Sequence, residues 1–270
     1  MDVVSPRVGS VDRMDLGLVG RRAAVAAGTA GLGLATARAL VAEGVSVAVC
    51  GRDLRRLESA LAELREVARR ASGSPTVDGM VVDLSSTDDA ERFVTQAAMR
   101  LGGTIDILVP NAGGPPAGTF ATTAMDDYRA ALELNCLSTI AMCRTGVPGM
   151  QDQGWGRVVA ITSIGAKEPI GHLIASSTAR AAVSSFLKVL AREVAADGVT
   201  VNSLQPGLHR TDRVAQLYGE GQDPGAGIPV GEPGDPADFG ATAAFLCSVH
   251  AGFITGIGLP LDGGTSHGMP

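Results

Sequence analysis

Short apolar runs recur along the chain, each bounded by polar or glycine-containing stretches: residues 23–27, 45–50, 80–82, 105–109, 158–161 and 199–204, with 258–261 as a seventh candidate. Unbroken hydrophobicity over so few residues is the pattern of strands buried on both faces. Between these runs, segments 34–43, 54–71, 88–100 and 126–145 have helical periodicity. Ala179, Val183, Phe186, Leu187, Leu190 and Val194 step by three and four, which puts one apolar stripe on a long helix. Strand and helix in steady alternation predict right-handed crossovers and a parallel sheet covered on both faces, an α/β doubly wound fold of about seven strands. No linker or composition shift divides the pattern. Residues 17–270 are therefore expected to form a single domain, behind an extension of residues 1–16 that is expected to be flexible. The least regular stretch, 218–235, is rich in glycine, proline and acidic residues and reads either as a lid or as an ordinary surface loop.

Composition narrows the function classes. The 270 residues carry a formal net charge of −6, and aromatic residues make up 3%. Mild acidity without a basic run, and few rings on which bases could stack, argue against nucleic acid. No run approaches the ~20 apolar residues of a membrane span. Asp2, Pro6, Arg7, Asp12, Arg13 and Asp15 break up the first sixteen residues, which do not read as a signal peptide. Four cysteines make no disulfide framework, so a reducing cytoplasm is the expected compartment. Cys136 and Cys143 fall on one helix face as core packing, and His250 and His267 stand too isolated in the sequence to complete a metal site. The partner that remains is a small molecule.

The chemistry begins after the first strand, at Ala26-Ala27-Gly28-Thr29-Ala30-Gly31-Leu32-Gly33. Gly28, Thr29, Gly31, Leu32 and Gly33 on a strand-to-helix turn let backbone N–H groups and a helix N-terminus approach a pyrophosphate, although a plain tight turn uses the same residues. The second strand ends at Cys50-Gly51-Arg52-Asp53. An acidic residue at the strand tip suits the 2′-hydroxyl of NAD, whereas a small residue followed by arginine suits the 2′-phosphate of NADP, so NADP(H) is favoured over NAD(H). Asp83 ends the third strand, where adenine would lie, and Asn111-Ala112-Gly113 ends the fourth.

Together with Leu84, Asn135, Gly156-Arg157-Val158-Val159 leading to Ser163, and Asn202 through Pro206-Gly207 to Thr211, these motifs resemble the short-chain dehydrogenase/reductase family. The resemblance runs from about residue 18 to 264, closing with Asp262-Gly263-Gly264. It implies a Rossmann-type sheet and an NADP(H)-dependent oxidoreductase acting on a carbonyl or alcohol. By that resemblance residues 111–113 line the adenosine side, and Pro206, Gly207 and Thr211 meet the nicotinamide. It also implies a homo-oligomer, dimer or tetramer.

Two departures stand out. Ala26 and Ala27 occupy the opening Thr-Gly of the family's glycine turn. In the family, a tyrosine thirteen residues after the serine exchanges the proton and a lysine four further on lowers its pKa; counted from Ser163, those positions hold Ser176 and Arg180. The only tyrosines are Tyr128 and Tyr218, neither at the required place. The expected centre is thus Ser163, Ser176, Arg180 and Asn135: hydroxyls for the substrate oxygen, a guanidinium for ribose and developing charge, and an amide supporting a water. A water, His172 or His209 would replace the phenol, unless those histidines are ordinary loop residues. A dinucleotide-binding sensor or scaffold without turnover, and a lyase or isomerase on the same fold, are the alternative readings.

Overall fold

The apolar runs pair into one seven-stranded parallel sheet, in a computed structural model that describes residues 14–212, 214 and 223–268. In chain order the elements are β1 (Arg22–Val25), α1 (Gly31–Ala42), β2 (Ser46–Gly51), α2 (Leu54–Ala68), β3 (Val77–Val81), α3 (Thr87–Arg100), β4 (Ile107–Val109), α4 (Met125–Leu132), α5 (Ser138–Asp152), β5 (Gly156–Ile161), α6 (Ile174–Val194), β6 (Val199–Pro206), α7 (Pro236–Cys247) and β7 (Gly258–Leu261). The strands lie in the order β3-β2-β1-β4-β5-β6-β7. The chain therefore reverses direction across the sheet between β1 and β4, and the crevice beyond their carboxyl ends is where such sheets bind ligands.

Two cores follow from the two-sided burial. Phe93, Met142, Met150, Val158, Val183 and Leu187 fill the face covered by α3, α5 and α6. Leu40, Leu57, Leu64, Val159, Phe239 and Leu246 fill the face covered by α1, α2 and α7. The stripe on α6 is buried at Ala179, Val183, Leu187 and Val194, while Phe186 and Leu190 pack at its margin.

Three elements differ from the periodicity. Segment 126–145 is not one helix: a π-helical turn, Glu133–Leu137, separates α4 from α5 and turns Asn135 inward, where it is buried. Helix α1 starts at Gly31, three residues before its apolar pattern, because Gly31 and Gly33 carry no side chain to mark one. Helix α7 lacks a polar stripe and was not anticipated. Its Gly240 lies so close to α1 that a Cβ there would stand 2.4 Å from the Ala35 carbonyl oxygen. The Asp235-Pro236 pair that caps it, with the Asp235 carboxylate accepting from the Ala237 N–H at 2.8 Å, is the local signal that marks its start.

The loop between β6 and α7 closes on a histidine. His209 is buried, donates from Nδ1 to the Gly207 carbonyl at 3.2 Å, and meets the Phe239 ring edge-on at 5.3 Å between centroids. Gly234 sits against its imidazole, where a Cβ would come within 2.8 Å of the ring. Burial pushes the His209 pKa below its ordinary value, outweighing the Gly207 carbonyl and Asp235, which favour the charged form.

Two outcomes are expected. His209 takes up its proton less readily folded than unfolded, so its contribution to stability is present above the unfolded pKa of about 6.5 and is lost as pH falls below it. Chemical denaturation across that range should show a shallower loss for His209→Gln than for the wild type; identical slopes would mean the ring carries no linkage. Ala27 adopts φ 45° in the turn after β1. That conformation costs a non-glycine residue about 1–2 kcal/mol, and glycine's extra chain entropy gives back about 0.5–1 of it. Ala27→Gly should therefore raise the thermal midpoint by about 2 °C, and a lower midpoint would contradict the assigned strain.

Candidate active site and dinucleotide cleft

The cleft is built on close backbone approach at the head of α1. The helix has no side-chain cap at Ala30 and no acidic residue in its first turn, so the positive end of its dipole faces the crevice uncompensated. A Cβ at Gly33 would lie 2.4 Å from the Ala27 carbonyl oxygen and 2.8 Å from Asn111 Nδ2; at Gly28 it would meet Val49 at 2.9 Å. Asn111 donates to that same Ala27 carbonyl at 3.4 Å, joining the ends of β1 and β4 across the reversal point. Leu32 lies half-buried in the first turn of α1.

One short turn then touches both ends of the groove. Thr29 packs on Gly51, whose Cβ would stand 2.5 Å from Thr29 Oγ1, and the next residue is Arg52. Two residues on, Gly31 faces Thr211, whose Cγ2 lies 3.6 Å from where a Gly31 Cβ would be. Arg52 is exposed and lines a cavity of about 340 Å³ with Val82, Asp83, Arg92 and Gln96. The Ser85 backbone N–H, then its hydroxyl and the Arg52 charge, hold the Asp83 carboxyl below its usual range. Leu84 is buried beside it. Arg92 and Gln96 on α3 were not anticipated from the sequence; their spacing with Phe93 reads as an ordinary solvated helix face, and Arg92 pairs with Asp89.

At the other end, three elements converge. Ser163 follows β5 and caps a 3₁₀ turn, Ile164–Ala166, by accepting from the Gly165 N–H at 3.0 Å. Ser176 and Arg180 lie one turn apart on α6, Ser176 half-buried and Arg180 buried. The guanidinium of Arg180 donates from Nη1 to the Ile161 carbonyl at 3.0 Å and from Nη2 to the Ala112 carbonyl at 3.5 Å. Asn135 donates from Nδ2 to the Gly113 carbonyl at 3.0 Å. Two successive carbonyls of the loop after β4 are therefore held, one from α6 and one from the π turn. Asn135 Oδ1 is buried and accepts no hydrogen bond from any described residue, which suits a water. Pro206 ends β6, and Gly207 donates to the Leu261 carbonyl at 2.9 Å while packing so closely on Asp262 that a Cβ would come within 2.8 Å.

The remaining candidates lie elsewhere. His209 is turned into the fold against Phe239. His172 is exposed before α6, its carbonyl accepting from the Gly118 N–H at 2.8 Å. Tyr128 packs from α4 onto Ala175 and Ala179. Tyr218 and most of the 212–222 segment lie outside the described residues, as does nearly all of the N-terminal extension. Burial pushes the thiols of Cys50, Cys143 and Cys247 up to about 12, which removes them as nucleophiles. No helix among the described residues is long and apolar enough to cross a membrane.

Comparison with known proteins agrees with this geometry. The family model described as Enoyl-(Acyl carrier protein) reductase matches residues 26–266. An acetoacetyl-CoA reductase of Cupriavidus necator is 33% identical over 250 residues, covering 92% of this chain and 99% of that one. L-sorbose reductase from Gluconobacter frateurii, solved with NADPH and L-sorbose, is 28% identical with a TM-score of 0.86, covering 95% of this chain and 100% of that one. A short-chain oxidoreductase from Pseudomonas aeruginosa PAO1, described as containing an atypical catalytic center, is 29% identical with a TM-score of 0.84 over 95% of this chain and 100% of that one. A Rossmann-type sheet, a glycine-lined cleft at its reversal point and matches over nearly the full length lead to one conclusion: the chain belongs to the short-chain dehydrogenase/reductase family of oxidoreductases.

Proposed function

We propose that this chain is an NADP(H)-dependent oxidoreductase of carbonyl and alcohol substrates, working through Ser163, Ser176, Arg180 and Asn135 in place of the family's tyrosine and lysine. The observation that carries the reading is the turn of residues 29–31, which packs on Gly51 beside Arg52 on one side and faces Thr211 on the other. A dinucleotide laid over the uncapped start of α1 would meet both. The NADPH of the sorbose reductase complex supports the same choice of cofactor.

The residues present fit that cofactor. Arg52 and Thr29 would hold the 2′-phosphate, Asp83 and Leu84 the adenine, and residues 111–113 the adenosine side. The N–H groups of Gly31, Leu32 and Gly33 would hold the pyrophosphate. Pro206, Gly207 and Thr211 would bound the nicotinamide. When bound, NADPH supplies the hydride. Ser163 donates a hydrogen bond to the substrate oxygen, and Ser176 offers a second hydroxyl. Arg180 would stabilise the charge that develops there and hold the ribose. Asn135 Oδ1 would hold a water that relays a proton from bulk solvent to that oxygen.

Magnitudes allow such a centre to work. Loss of a positioned general acid forfeits about 10²- to 10⁴-fold in rate, whereas orientation of donor and acceptor supplies about 7–11 kcal/mol. A second reading, a dinucleotide-binding protein without turnover, draws on one observation: Arg180 already spends Nη1 and Nη2 on main-chain carbonyls.

Fluorescence titration with NADPH and NADH, followed by a carbonyl panel that includes acetoacetyl-CoA and L-sorbose, separates the two readings. Oxidation of NADPH by any member supports the enzyme; tight binding with no oxidation supports the sensor. Arg52→Asp should weaken NADPH binding by about tenfold or more, the worth of a charge-assisted hydrogen bond, and shift preference towards NADH. An unchanged ratio of the two affinities would remove Arg52 from the ribose. Restoring the family pair with Ser176→Tyr and Arg180→Lys together should raise kcat by about 10²-fold and introduce a pH dependence that the wild type lacks between about pH 6 and 8, where neither serine nor arginine titrates. A double variant slower than the wild type would mean that this centre does not stand in for the phenol.

A further inference from the structure

Ser177 is the neighbour of Ser176, and its hydroxyl is engaged with the main chain. It is buried, and its Oγ accepts from the Ile170 N–H at 3.1 Å, reaching from α6 across to the loop that follows Ser163. Within that loop the N–H groups of Lys167 and Glu168 both donate to the Ile164 carbonyl at 3.0 Å, and Leu173 donates to Ile170 at 2.9 Å. From outside, Lys167 Nζ donates to the Gly258 carbonyl at 3.0 Å, His267 meets the Glu168 carboxylate, and the Gly118 N–H donates to the His172 carbonyl at 2.8 Å. Ser177 ties its middle to the helix.

Gly165 connects this tie to Ser163. The glycine is buried, and a Cβ built on it would lie 3.1 Å from Ser177 Oγ and 3.4 Å from Ser163 Oγ. Both hydroxyls thus lie close to one position beside Gly165, and a side chain there would press on Ser177 Oγ while only touching Ser163 Oγ. The Gly165 N–H in turn donates to Ser163 Oγ at 3.0 Å. A serine hydroxyl has one proton and two lone pairs. With one lone pair taken by Gly165, the Ser163 proton is directed elsewhere, and its direction depends on where Gly165 stands.

We infer that Ser177 is a positioning residue for the reaction: through Ile170 and Gly165 it fixes the loop that aims the Ser163 hydroxyl at the substrate oxygen. The inference rests on the proposed role of Ser163 as the donor to that oxygen. Ser177 itself touches neither substrate nor cofactor. Its removal should act on kcat and leave cofactor binding alone, since Arg52, Thr29 and the start of α1 are remote from this loop in the sheet order.

The test is a double-mutant cycle on carbonyl reduction with NADPH, using the best substrate of the carbonyl panel. Ser177→Ala should lower kcat by about tenfold to a hundredfold, the effect of a misplaced catalytic group, with the NADPH dissociation constant within about twofold of wild type. Ser177→Cys, which keeps a weaker acceptor of nearly the same size, should recover part of the loss and guards against an alanine variant that folds poorly. Gly165→Ala should reproduce part of the kcat defect by pressing Ser177 Oγ away from its place against the loop. In a Ser163→Ala background, Ser177→Ala should cost nothing further, because its effect is routed through the missing hydroxyl. Additive losses in the double variant, or a Ser177→Ala enzyme that melts earlier but turns over normally, would overturn the inference and leave Ser177 a packing residue. A Ser163→Ala enzyme with wild-type kcat, or no turnover of any carbonyl in the panel, would instead overturn the reading of Ser163 on which the inference rests.

Discussion

The cleft depends on one close approach. The first turn of α1 can reach the end of β1 only because position 33 has no side chain, the carbonyl of Ala27 standing 2.4 Å from where a Cβ would be. That contact brings the uncapped N–H groups of the helix to the reversal point of the sheet, and Asn111 crosses from β4 to seal it. Ala27 takes a left-handed conformation to make the same turn. The stored strain and the uncompensated dipole lie at one spot, where an anion would relieve the second of them. Both are unfavourable in isolation, and both become intelligible if a pyrophosphate is what the turn is shaped for.

Exchange of lysine for arginine at position 180 changes the architecture as well as the acid–base chemistry. A planar guanidinium can serve two carbonyls at once, and Arg180 does so at Ile161 and Ala112. With Asn135 on the adjacent Gly113 carbonyl, the loop after β4 is pinned from two helices. The residue that would stabilise charge on the proposed reading is thus also part of the scaffold that shapes the floor of the cleft. On the proposed reading, a centre without a tunable phenol has orientation rather than proton transfer as its larger available contribution.

The strands, the parallel sheet, the glycine turn and the stripe on α6 were legible because each is a local pattern with a single physical meaning: period, burial or the absence of a side chain. The elements that were not legible depend on partners distant in the chain. Helix α7 shows no amphipathic stripe because its exposed face, at Ala237, Ala241 and Phe245, is as apolar as the face packed on α1 through Gly240. The π turn at Asn135 inserts one residue into a pattern that periodicity alone reads as continuous. His209 looked like a candidate near the nicotinamide, but the ring of Phe239 and the bare Cα of Gly234 draw it into the fold. Ser177 and Gly165 carried no signal beyond their neighbours in the sequence.

By itself, then, the order of residues determined the fold class, the family resemblance, the expectation of a 2′-phosphate at Arg52 and the absence of tyrosine at position 176, since these follow from residue type and spacing along one chain. Only the tertiary structure decided which polar groups are already occupied: that Arg180 is bound to main-chain carbonyls, that Asn135 keeps one buried acceptor open among the described residues, and that two serine hydroxyls lie beside one glycine. Hydrogen-bond satisfaction depends on what folding brings within about 3 Å, and that distance is set by packing between segments far apart in sequence.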